Sequence, residues 1–189
     1  MLAHAMPRGR HGAGGAHPLS IRERRMEIVQ VTAGRERVDG CTGAVTAATG
    51  VRLRGPNRAV QAGDLTAVWI QPRTWLLLQP WRGEGALLRK LAPGCRGLGA
   101  LVDQTGGKAV LRVSGKCARA VLAKGCRVDL HPRAFKPGSA AVTPIAHVNV
   151  VLAQADDAPS FDLILPASFA ETFVEWLLMS AGEFGYVVE

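Results

Sequence analysis

The sequence has few cysteines, and their spacing suggests neither a metal site nor a disulfide framework. The four of them lie far apart and include no CxxC pair: Cys41, Cys95, Cys117 and Cys126. Structural zinc sites use Cys or Cys/His pairs at close spacing. Disulfide frameworks belong to secreted chains, and no secretory signal is recognisable here. We therefore predict reduced thiols and no metal ligands.

Long apolar runs are also missing. A membrane-spanning helix needs roughly 18 uncharged residues in a row, and even the stretch VWIQPRTWLLL is broken by Gln, Pro and Arg. The first 25 residues contain five arginines but no continuous apolar core of the kind that secretory signals carry. The sequence therefore predicts a cytoplasmic protein that does not span a membrane.

The motifs of nucleotide binding and covalent hydrolysis are absent as well. The segments TAGRERVDG and TGGKAV are too short for a glycine fingerprint, and neither leads from a strand into a helix. No serine lies in a nucleophile-elbow pattern. We predict no catalytic residue, no cofactor-binding residue and no metal ligand in this chain.

The composition is that of a soluble globular protein with many turns. Of its 189 residues, 48% are hydrophobic and 20% are charged, and it has 22 glycines and 11 prolines. The net charge of +8 is unevenly distributed: residues 1–27 carry +3, residues 28–136 carry +12 and residues 137–189 carry −7. Such a split favours docking onto charged surfaces.

Three segments are predicted along the chain. Residues 1–25 are expected to form a flexible basic arm without fold information. Residues 26–94 are predicted to form a first α+β lobe, and residues 95–189 a second lobe with the element order ββαββα. The fold class is α+β with helices packed on one face. Its sheets are mostly antiparallel, because tight two-residue turns cannot join parallel strands.

The first lobe is predicted from four local patterns. EIVQVTA predicts a strand, and LTAVWIQ with TWLLLQP predicts a hairpin that turns at Pro72. TGAVTAATGVRLRG is rich in Gly, Thr and Ala, which favours an irregular segment or a poorly patterned hairpin. Leucines at helical spacing predict a helix from Glu84 to Leu91, and Pro93 is expected to stop it.

The second lobe is predicted in the same way. GALVDQT and KAVLRVS flank a Gly-Gly pair and predict a hairpin. Ser114 is expected to cap a helix that runs to Lys124. VDLHPRAFKPG contains two prolines and predicts an irregular connector. The segments SAAVTPIAHVNVVLAQA and FDLILPA predict strands, the capping box of Ser168 and Glu171 predicts a final helix, and GYVV could add an edge strand.

Two polar pairs allow either a functional or a structural interpretation. Asp103 and Gln104 could reach a polar ligand, but Asp beside a Gly-Gly turn usually stabilises the turn. His131 and His147 are the only histidines beyond the basic arm, and Asp129 could orient His131 for acid/base chemistry. Asp-Leu-His-Pro is, however, typical of a connector with a buried leucine. The structural interpretation is favoured for both pairs.

Two further patterns involve a tripeptide and the tryptophans. Lys-Gly-Cys at residues 124–126 also begins the signature of folate-binding proteins linked to iron–sulfur enzymes. That signature continues with an aromatic residue and Gly-Gln, whereas Arg127 follows here, so the end of a helix explains the Lys and Gly better.

Trp69, Trp75 and Trp81 are spaced by six residues, and tryptophan is favoured at protein interfaces. The aromatic stripe of the last helix is instead expected to be core.

Three blocks of the sequence carry a resemblance to a known family: AVWIQPRTWLLLQP, ALVDQTGGKAVLRVSGKCARAVLAKGCRVDLHPRAFKPG and FDLILPASFAETFVEWLLMSAGEFG. Taken together, they resemble the sarcosine oxidase gamma subunit family. The middle block is long and specific, because it keeps SG-x-x-ARAVLAKGC-x-x-DLHP-x-x-F-x-PG. The resemblance runs from about residue 27 to residue 185.

The resemblance implies a non-catalytic, structural gamma subunit of heterotetrameric sarcosine oxidase, with alpha, beta and delta subunits as its partners. Such a complex demethylates sarcosine to glycine with formation of H2O2 and 5,10-methylenetetrahydrofolate. FAD, FMN, NAD and tetrahydrofolate are then expected in the partner subunits and none in this chain. The implied fold is two small related lobes, similar to part of the aminomethyltransferase folate-binding fold.

Two other functions fit parts of the sequence. A stand-alone folate-dependent one-carbon transfer or folate-binding protein would bind tetrahydrofolate saturably without partners. A basic nucleic-acid-binding protein would use the arm and the +12 segment, and its affinity would fall steeply with salt. No RNA or DNA motif accompanies the charge, so no nucleic-acid partner is predicted.

Overall fold

The computed structural model describes residues 6–12 and 17–189, and the chain divides into two compact units. We call Arg25–Lys108 the middle unit. The other is the terminal unit, because it combines both ends of the chain: the residues up to Arg24 and Ala109–Glu189. Within the described residues, no helix is long and apolar enough to cross a membrane.

In the described part of the chain, the strands are β1 (Gly9–His11), β2 (Leu19–Glu23), β3 (Met26–Ala33), β4 (Ala59–Ala62), β5 (Leu65–Gln71), β6 (Thr74–Pro80), β7 (Gly99–Asp103), β8 (Lys108–Ser114), β9 (Ala140–Ile145), β10 (Val148–Asp156), β11 (Ser160–Pro166) and β12 (Tyr186–Val188). The helices are α1 (Val38–Thr49), α2 (Ala86–Cys95), α3 (Ala118–Ala123) and α4 (Ala170–Ala181), and a 3₁₀ turn, Ala167–Phe169, precedes α4.

The middle unit is an antiparallel sheet that shares a core with two helices. Its strand order is β4-β5-β6-β3-β7. Val29 and Val31 of β3 enter a core with Cys41 and Val45 of α1 and Leu91 of α2, because alternate residues of a strand share one face. The hairpin predicted from LTAVWIQ and TWLLLQP is confirmed as β5 and β6.

Two predictions for the middle unit are wrong. The Gly/Thr/Ala-rich segment is irregular only over residues 50–55, because its residues 42–49 belong to α1. Only Cys41 and Val45 of that helix are buried, so its apolar stripe is too thin to show helical periodicity. Pro93 does not stop α2 but lies in its last turn. The missing amide hydrogen of proline removes only one helical hydrogen bond there.

The terminal unit is a seven-stranded sheet that shares its core with α3 and α4. Its strand order is β1-β12-β2-β8-β11-β10-β9. β12 and β2 are parallel, whereas β2–β8, β9–β10 and β10–β11 are antiparallel. The core contains Val121 of α3, Phe173 and Leu177 of α4, and Leu111 and Leu163 of the sheet. The predicted α+β class with mostly antiparallel sheets is confirmed.

The prediction of an N-terminal arm is wrong for the residues that the structure describes. β2 pairs with β8 from Ser20↔Ser114 to Glu23↔Leu111, and its Leu19 is fully buried. The strand has only five residues, so the surrounding arginines hide its alternating pattern. Residues 1–5 and 13–16, which also belong to the predicted arm, lie outside the described residues.

The hairpin predicted across Gly106 and Gly107 is wrong too, and with it the boundary between residues 94 and 95. β7 pairs with β3 in the middle unit, whereas β8 pairs with β2 in the terminal unit. A Gly-Gly turn can lead from one sheet into another as well as back along the same sheet. The boundaries between the units therefore fall after Arg24 and after Lys108.

Neither predicted serine cap is observed. Ser114 is the last residue of β8, and α3 begins only after a short turn. Ser168 lies in the 3₁₀ turn, and no side-chain hydrogen bond caps α4. The segment SAAVTPIAHVNVVLAQA forms two paired strands, β9 and β10. The irregular connector is confirmed, and the GYVV tail provides β12, which lies between β1 and β2.

The net charge is divided less unevenly between the two units than it is along the sequence. The middle unit has twelve Lys and Arg against six Asp and Glu, and the terminal unit has eleven against nine. The acidic C-terminal stretch folds together with arginines from the N-terminal residues and from the α3 region. The middle unit is therefore the more basic of the two.

Candidate functional site

The ARAVLAKGC motif folds as α3 and the turn that follows it, and one arginine of α3 ties this helix to the connector. Arg119 donates hydrogen bonds to the carbonyl oxygens of Leu130 and Phe135, the latter at 3.3 Å, and to Gln154 Oε1 at 3.0 Å. Its guanidinium carbon lies 5.3 Å from the ring centroid of Phe161. Burial lowers the pKa of Arg119, but an arginine side chain stays protonated at neutral pH.

The connector uses its own polar side chains to hold its turns. Asp129 Oδ1 accepts a hydrogen bond from the His131 N–H at 2.8 Å, and His131 Nδ1 accepts one from the Arg133 N–H at 3.2 Å. Leu130 and Phe135 are buried. The geometry agrees with the structural interpretation of Asp129 and His131, because each stabilises a local turn.

Asp103 also stabilises a turn, which agrees with the structural interpretation that the sequence favoured. Its Oδ1 accepts a hydrogen bond from the Thr105 N–H at 2.8 Å. The Gln104 N–H donates to the Ile28 carbonyl at 2.8 Å, and the Gln104 carbonyl accepts from the Gly107 N–H at 3.0 Å. This pair lies in the middle unit, whereas Asp129 and His131 belong to the terminal unit.

The three tryptophans predicted for an interface differ in burial. Trp75 is only 5% exposed, and its Nε1 donates to the Arg54 carbonyl at 2.7 Å. Trp75 is therefore a core residue, and its prediction as an interface residue is wrong. Trp69, its cross-strand neighbour, is half-buried. Trp81 is half-buried too and lies 4.6 Å from the Arg25 guanidinium carbon. An interface role stays a prediction for these two.

The Lys-Gly-Cys tripeptide packs the end of α3 against α4. The sequence explained its glycine by the end of a helix, but Gly125 is not among the residues with positive φ. Its small size matters instead, because a Cβ there would lie 2.5 Å from Trp176 Cζ2 and 3.1 Å from the Ala146 nitrogen. Lys124 Nζ donates to the Ser180 carbonyl of α4 at 2.5 Å.

A cleft of about 580 Å³ lies next to this contact. Arg127, His147, Asn149 and Trp176 are among the residues that line it. The sequence predicted no site here, because these residues come from the turn after α3, the β9–β10 hairpin and α4. No local motif joins them; in the fold, Gly125 packs on Trp176 and its carbonyl accepts a hydrogen bond from the Ala146 N–H at 3.3 Å.

A buried carboxylate holds two arginines in the terminal unit. Asp162 Oδ1 and Oδ2 accept hydrogen bonds from Arg112 Nε and Nη2 at 2.8 and 2.6 Å. Arg24 Nη1 also donates to Asp162 Oδ2, at 2.8 Å. The Asp162 side chain is 9% exposed, and those of Arg24 and Arg112 are 20% and 25% exposed. The hydrogen bonds from Arg112 to Asp162 raise the pKa of Arg112.

Replacing Asp162 with asparagine is expected to lower the free energy of unfolding by about 2 kcal/mol, because two partly buried cations lose their anionic partner. Urea unfolding of the full chain measures the change. Asp157→Asn is the control: this carboxylate is exposed, and we expect a change within about 0.5 kcal/mol. Equal urea midpoints for the two variants would show that the Asp162 cluster adds little stability.

The described cysteines are all free thiols, and Cys126 is the most accessible of them. Burial, together with smaller contributions from charge repulsion by Cys95 and a hydrogen bond with it, raises the pKa of Cys41 to about 11. Burial also raises the pKa values of Cys95, Cys117 and Cys126. Among the residues described by the structure, no three His, Cys, Asp or Glu side chains could hold a metal ion.

Thiol labelling of the native protein at pH 8 should therefore be slow. With a pKa of about 11, roughly one Cys41 side chain in a thousand is a thiolate at this pH. We expect Ellman's reagent to modify Cys126 first and all four cysteines after unfolding in guanidinium. Peptide mass spectrometry identifies the labelled residue, and Cys126→Ser serves as the control. Rapid labelling of Cys41 in the folded chain would contradict the burial described above.

The fold has a clear structural relative among one-carbon transfer proteins. It superimposes on the glycine cleavage system aminomethyltransferase T from Bartonella henselae with a TM-score of 0.67 at 15% sequence identity, covering 91% of this chain and 47% of that one. At this identity the similarity concerns the fold. The chain thus has the α+β architecture found in part of an aminomethyltransferase, as the sequence predicted.

Closer relatives identify the family. A family model described as "Sarcosine oxidase, gamma subunit family" matches residues 36–183. The sarcosine oxidase subunit gamma of Corynebacterium sp. (strain U-96) is 37% identical over 158 residues, which cover 80% of this chain and 75% of that protein. The corresponding protein of Arthrobacter sp. is 33% identical over 156 residues, with the same coverage. The chain therefore belongs to the sarcosine oxidase gamma subunit family, which confirms the resemblance found in the sequence.

A solved structure supports this relationship over almost the whole chain. One chain of the heterotetrameric sarcosine oxidase from Corynebacterium sp. U-96, in complex with pyrrole 2-carboxylate, matches with a TM-score of 0.83 at 29% identity. The match covers 97% of this chain and 92% of that chain. At this coverage the match includes parts of both units.

Proposed function

We propose that this chain is the non-catalytic, structural gamma subunit of a heterotetrameric sarcosine oxidase in the cytoplasm. The observation that carries the proposal is the structural match over 97% of the chain to a subunit of such a complex. The partners are then alpha, beta and delta subunits. They bind FAD, FMN, NAD and tetrahydrofolate, and the complex uses O2 and tetrahydrofolate to convert sarcosine to glycine, with H2O2 and 5,10-methylenetetrahydrofolate as the other products.

The use of the family motif for packing supports a structural role. Arg119 binds backbone carbonyls of the connector, Asp129 and His131 close turns, and Gly125 allows close contact with Trp176. These residues shape the terminal unit through local contacts. A catalytic acid or base would instead have its titratable group directed at a substrate.

The surface has exposed apolar side chains that could take part in a permanent interface. Four large apolar residues of the described chain are exposed: Val102, Val142, Phe169 and Met179. Permanent interfaces bury about 2,000 Å² or more and are rich in apolar side chains. The half-buried Trp69 and the basic middle unit are further candidates for contact with partner subunits, the latter with acidic surfaces. The isolated chain is therefore expected to be less soluble than the complex.

Co-expression with genes for the alpha, beta and delta subunits tests the proposal. We expect a stoichiometric complex that shows flavin absorbance and produces H2O2 from sarcosine. Omitting this chain should prevent assembly of the full complex, and the purified chain alone should show neither flavin absorbance nor turnover. Tight flavin binding or sarcosine oxidation by the lone chain would overturn the proposal.

Calorimetry separates this proposal from a stand-alone folate protein. Titration of the isolated chain with tetrahydrofolate should give no saturable binding if folate belongs to partner subunits. Saturable binding by the isolated chain would instead support an independent one-carbon function. The titration uses the full chain, so that both units are present.

A further inference from the structure

The cleft next to Trp176 has the size and position of a small-molecule site. Its volume of about 580 Å³ lies within the range of known ligand pockets. It belongs entirely to the terminal unit. Its walls come from residues 124–127, which directly follow α3, from the β9–β10 hairpin and from α4. These are three separate segments that converge on one cavity.

The side chains that line the cleft favour an anion. Lys124, Arg127 and His147 all line it, and none of its lining residues is Asp or Glu. Arg127 and His147 are exposed, and no side-chain hydrogen bond or ion pair holds either of them within the described residues. Lys124 Nζ is shared with the Ser180 carbonyl and Glu183, both at 2.5 Å. Arg127 is therefore the main cation available to a ligand.

The hairpin turn that carries His147 is strained. Ala146 has φ 48° and His147 has φ 67°, which makes a two-residue turn of the type that strongly favours Asn-Gly. Left-handed backbone at residues other than glycine is often retained at functional sites. The Ala146 N–H donates to the Gly125 carbonyl at 3.3 Å, so the turn is fixed against the end of α3.

One wall of the cleft is flat and apolar. Trp176 is held in place by Phe173, with ring centroids 5.5 Å apart, and by the close approach of Gly125. Asn149 and Thr172 also line the cleft and can donate hydrogen bonds. The cleft thus combines a guanidinium, an imidazole and neutral donors with an aromatic surface, which suits a ligand with a charged end and an apolar body.

We propose that this cleft binds a small organic phosphate, with Arg127 and His147 contacting the phosphate and Trp176 contacting the organic part. A guanidinium matches phosphate oxygens with two parallel hydrogen bonds. A phosphate has more oxygen acceptors than a carboxylate, so it can contact the Arg127 guanidinium and the His147 imidazole at the same time. This proposal does not rest on the subunit role, because it concerns the residues of this chain alone.

An NMR titration of the isotopically labelled full chain tests the proposal with phenyl phosphate as the probe. We expect saturable shifts at the Trp176 indole N–H and at the Gly125 and His147 amides. Benzoate and inorganic phosphate serve as the comparison probes. Phenyl phosphate should bind at least about tenfold more tightly than either, because benzoate has one charge and inorganic phosphate has no ring. Stronger binding of benzoate would overturn the assignment to phosphate.

Variants assign the binding to the cleft. Arg127→Gln should weaken phenyl phosphate binding about tenfold, the usual effect of losing a charge-assisted pair. His147→Asn keeps a residue that tolerates positive φ and should weaken binding about threefold. Arg133→Gln removes the same charge from an exposed position outside the lining, and binding should stay within about twofold.

Three results would overturn the proposal. The first is the absence of saturable binding to the wild-type chain, and the second is an equal loss of affinity in Arg127→Gln and Arg133→Gln, which would indicate non-specific charge attraction. The third is loss of phenyl phosphate binding when the chain enters the co-expressed complex, because a partner would then occupy the cleft. Unfolding free energies of the variants, measured in urea, within about 0.5 kcal/mol of wild type confirm that folding is unchanged.

Discussion

Replacing Arg119 with methionine is expected to lower the free energy of unfolding by about 3 kcal/mol. Methionine keeps much of the aliphatic stem but leaves the carbonyls of Leu130 and Phe135 and the side-chain oxygen of Gln154 without their donor. Each buried acceptor that loses its partner costs about 1–3 kcal/mol, less where water can replace the donor. Urea unfolding of the full chain, followed by circular dichroism, measures the change.

A second substitution at this position distinguishes charge from geometry. Arg119→Lys keeps the positive charge but not the planar fork that reaches several acceptors at once, so we expect about half of the loss to remain. Arg133→Met is the matched control, since Arg133 lies on the same connector and is exposed; its unfolding free energy should stay within about 0.5 kcal/mol of wild type. Full stability of the lysine variant would show that charge alone holds the connector.

Replacing Glu27 with leucine is expected to cost about 3 kcal/mol in the middle unit. Glu27 is fully buried, its Oε1 accepts the Leu87 N–H at 2.7 Å and its Oε2 accepts from Gln79 Nε2 at 2.8 Å. A carboxylate at the start of a helix satisfies a free amide and the positive end of the helix dipole. Leucine leaves both donors buried without an acceptor.

Amide exchange at Leu87 provides a local test of the same contact. In Glu27→Leu, the Leu87 amide should exchange faster than in wild type by more than the loss of global stability explains. Glu27→Gln retains an oxygen acceptor and should cost only about 1 kcal/mol. Glu36→Leu changes an exposed carboxylate and should leave stability within about 0.5 kcal/mol. Unchanged Leu87 exchange in Glu27→Leu would contradict the capping role.

Elements with strong local signals could be predicted from the sequence. The β5–β6 hairpin has two strand-forming runs around a tight turn, and the prolines mark the connector. Helix α1 could not be found in this way, because only Cys41 and Val45 of its twelve residues are buried. The unit boundaries could not be found either, since they depend on β7 pairing with β3 and β8 with β2. Such non-local pairings leave little trace in a single sequence.

The same limit applies to the functional residues. The turn roles of Asp103 and Asp129 were predictable, because each side chain binds an amide two residues away. Glu27 carries no local signal, since its partner Leu87 lies sixty residues away. The cleft is assembled from segments that meet only in the folded terminal unit, so the relation between Arg127 and His147 could not be predicted from spacing.

The position of β2 between β12 and β8 constrains how the polypeptide folds as it leaves the ribosome. Arg25–Lys108 is complete while the last eighty or so residues are still being made, so it can fold during synthesis. Strand β2 (Leu19–Glu23) is translated early. One of its edges stays unpaired until β8 has been synthesised, and the other stays unpaired until residues 186–188 have been synthesised. The synthesis of residues 186–188, rather than the start of translation, therefore sets the moment at which this sheet can close.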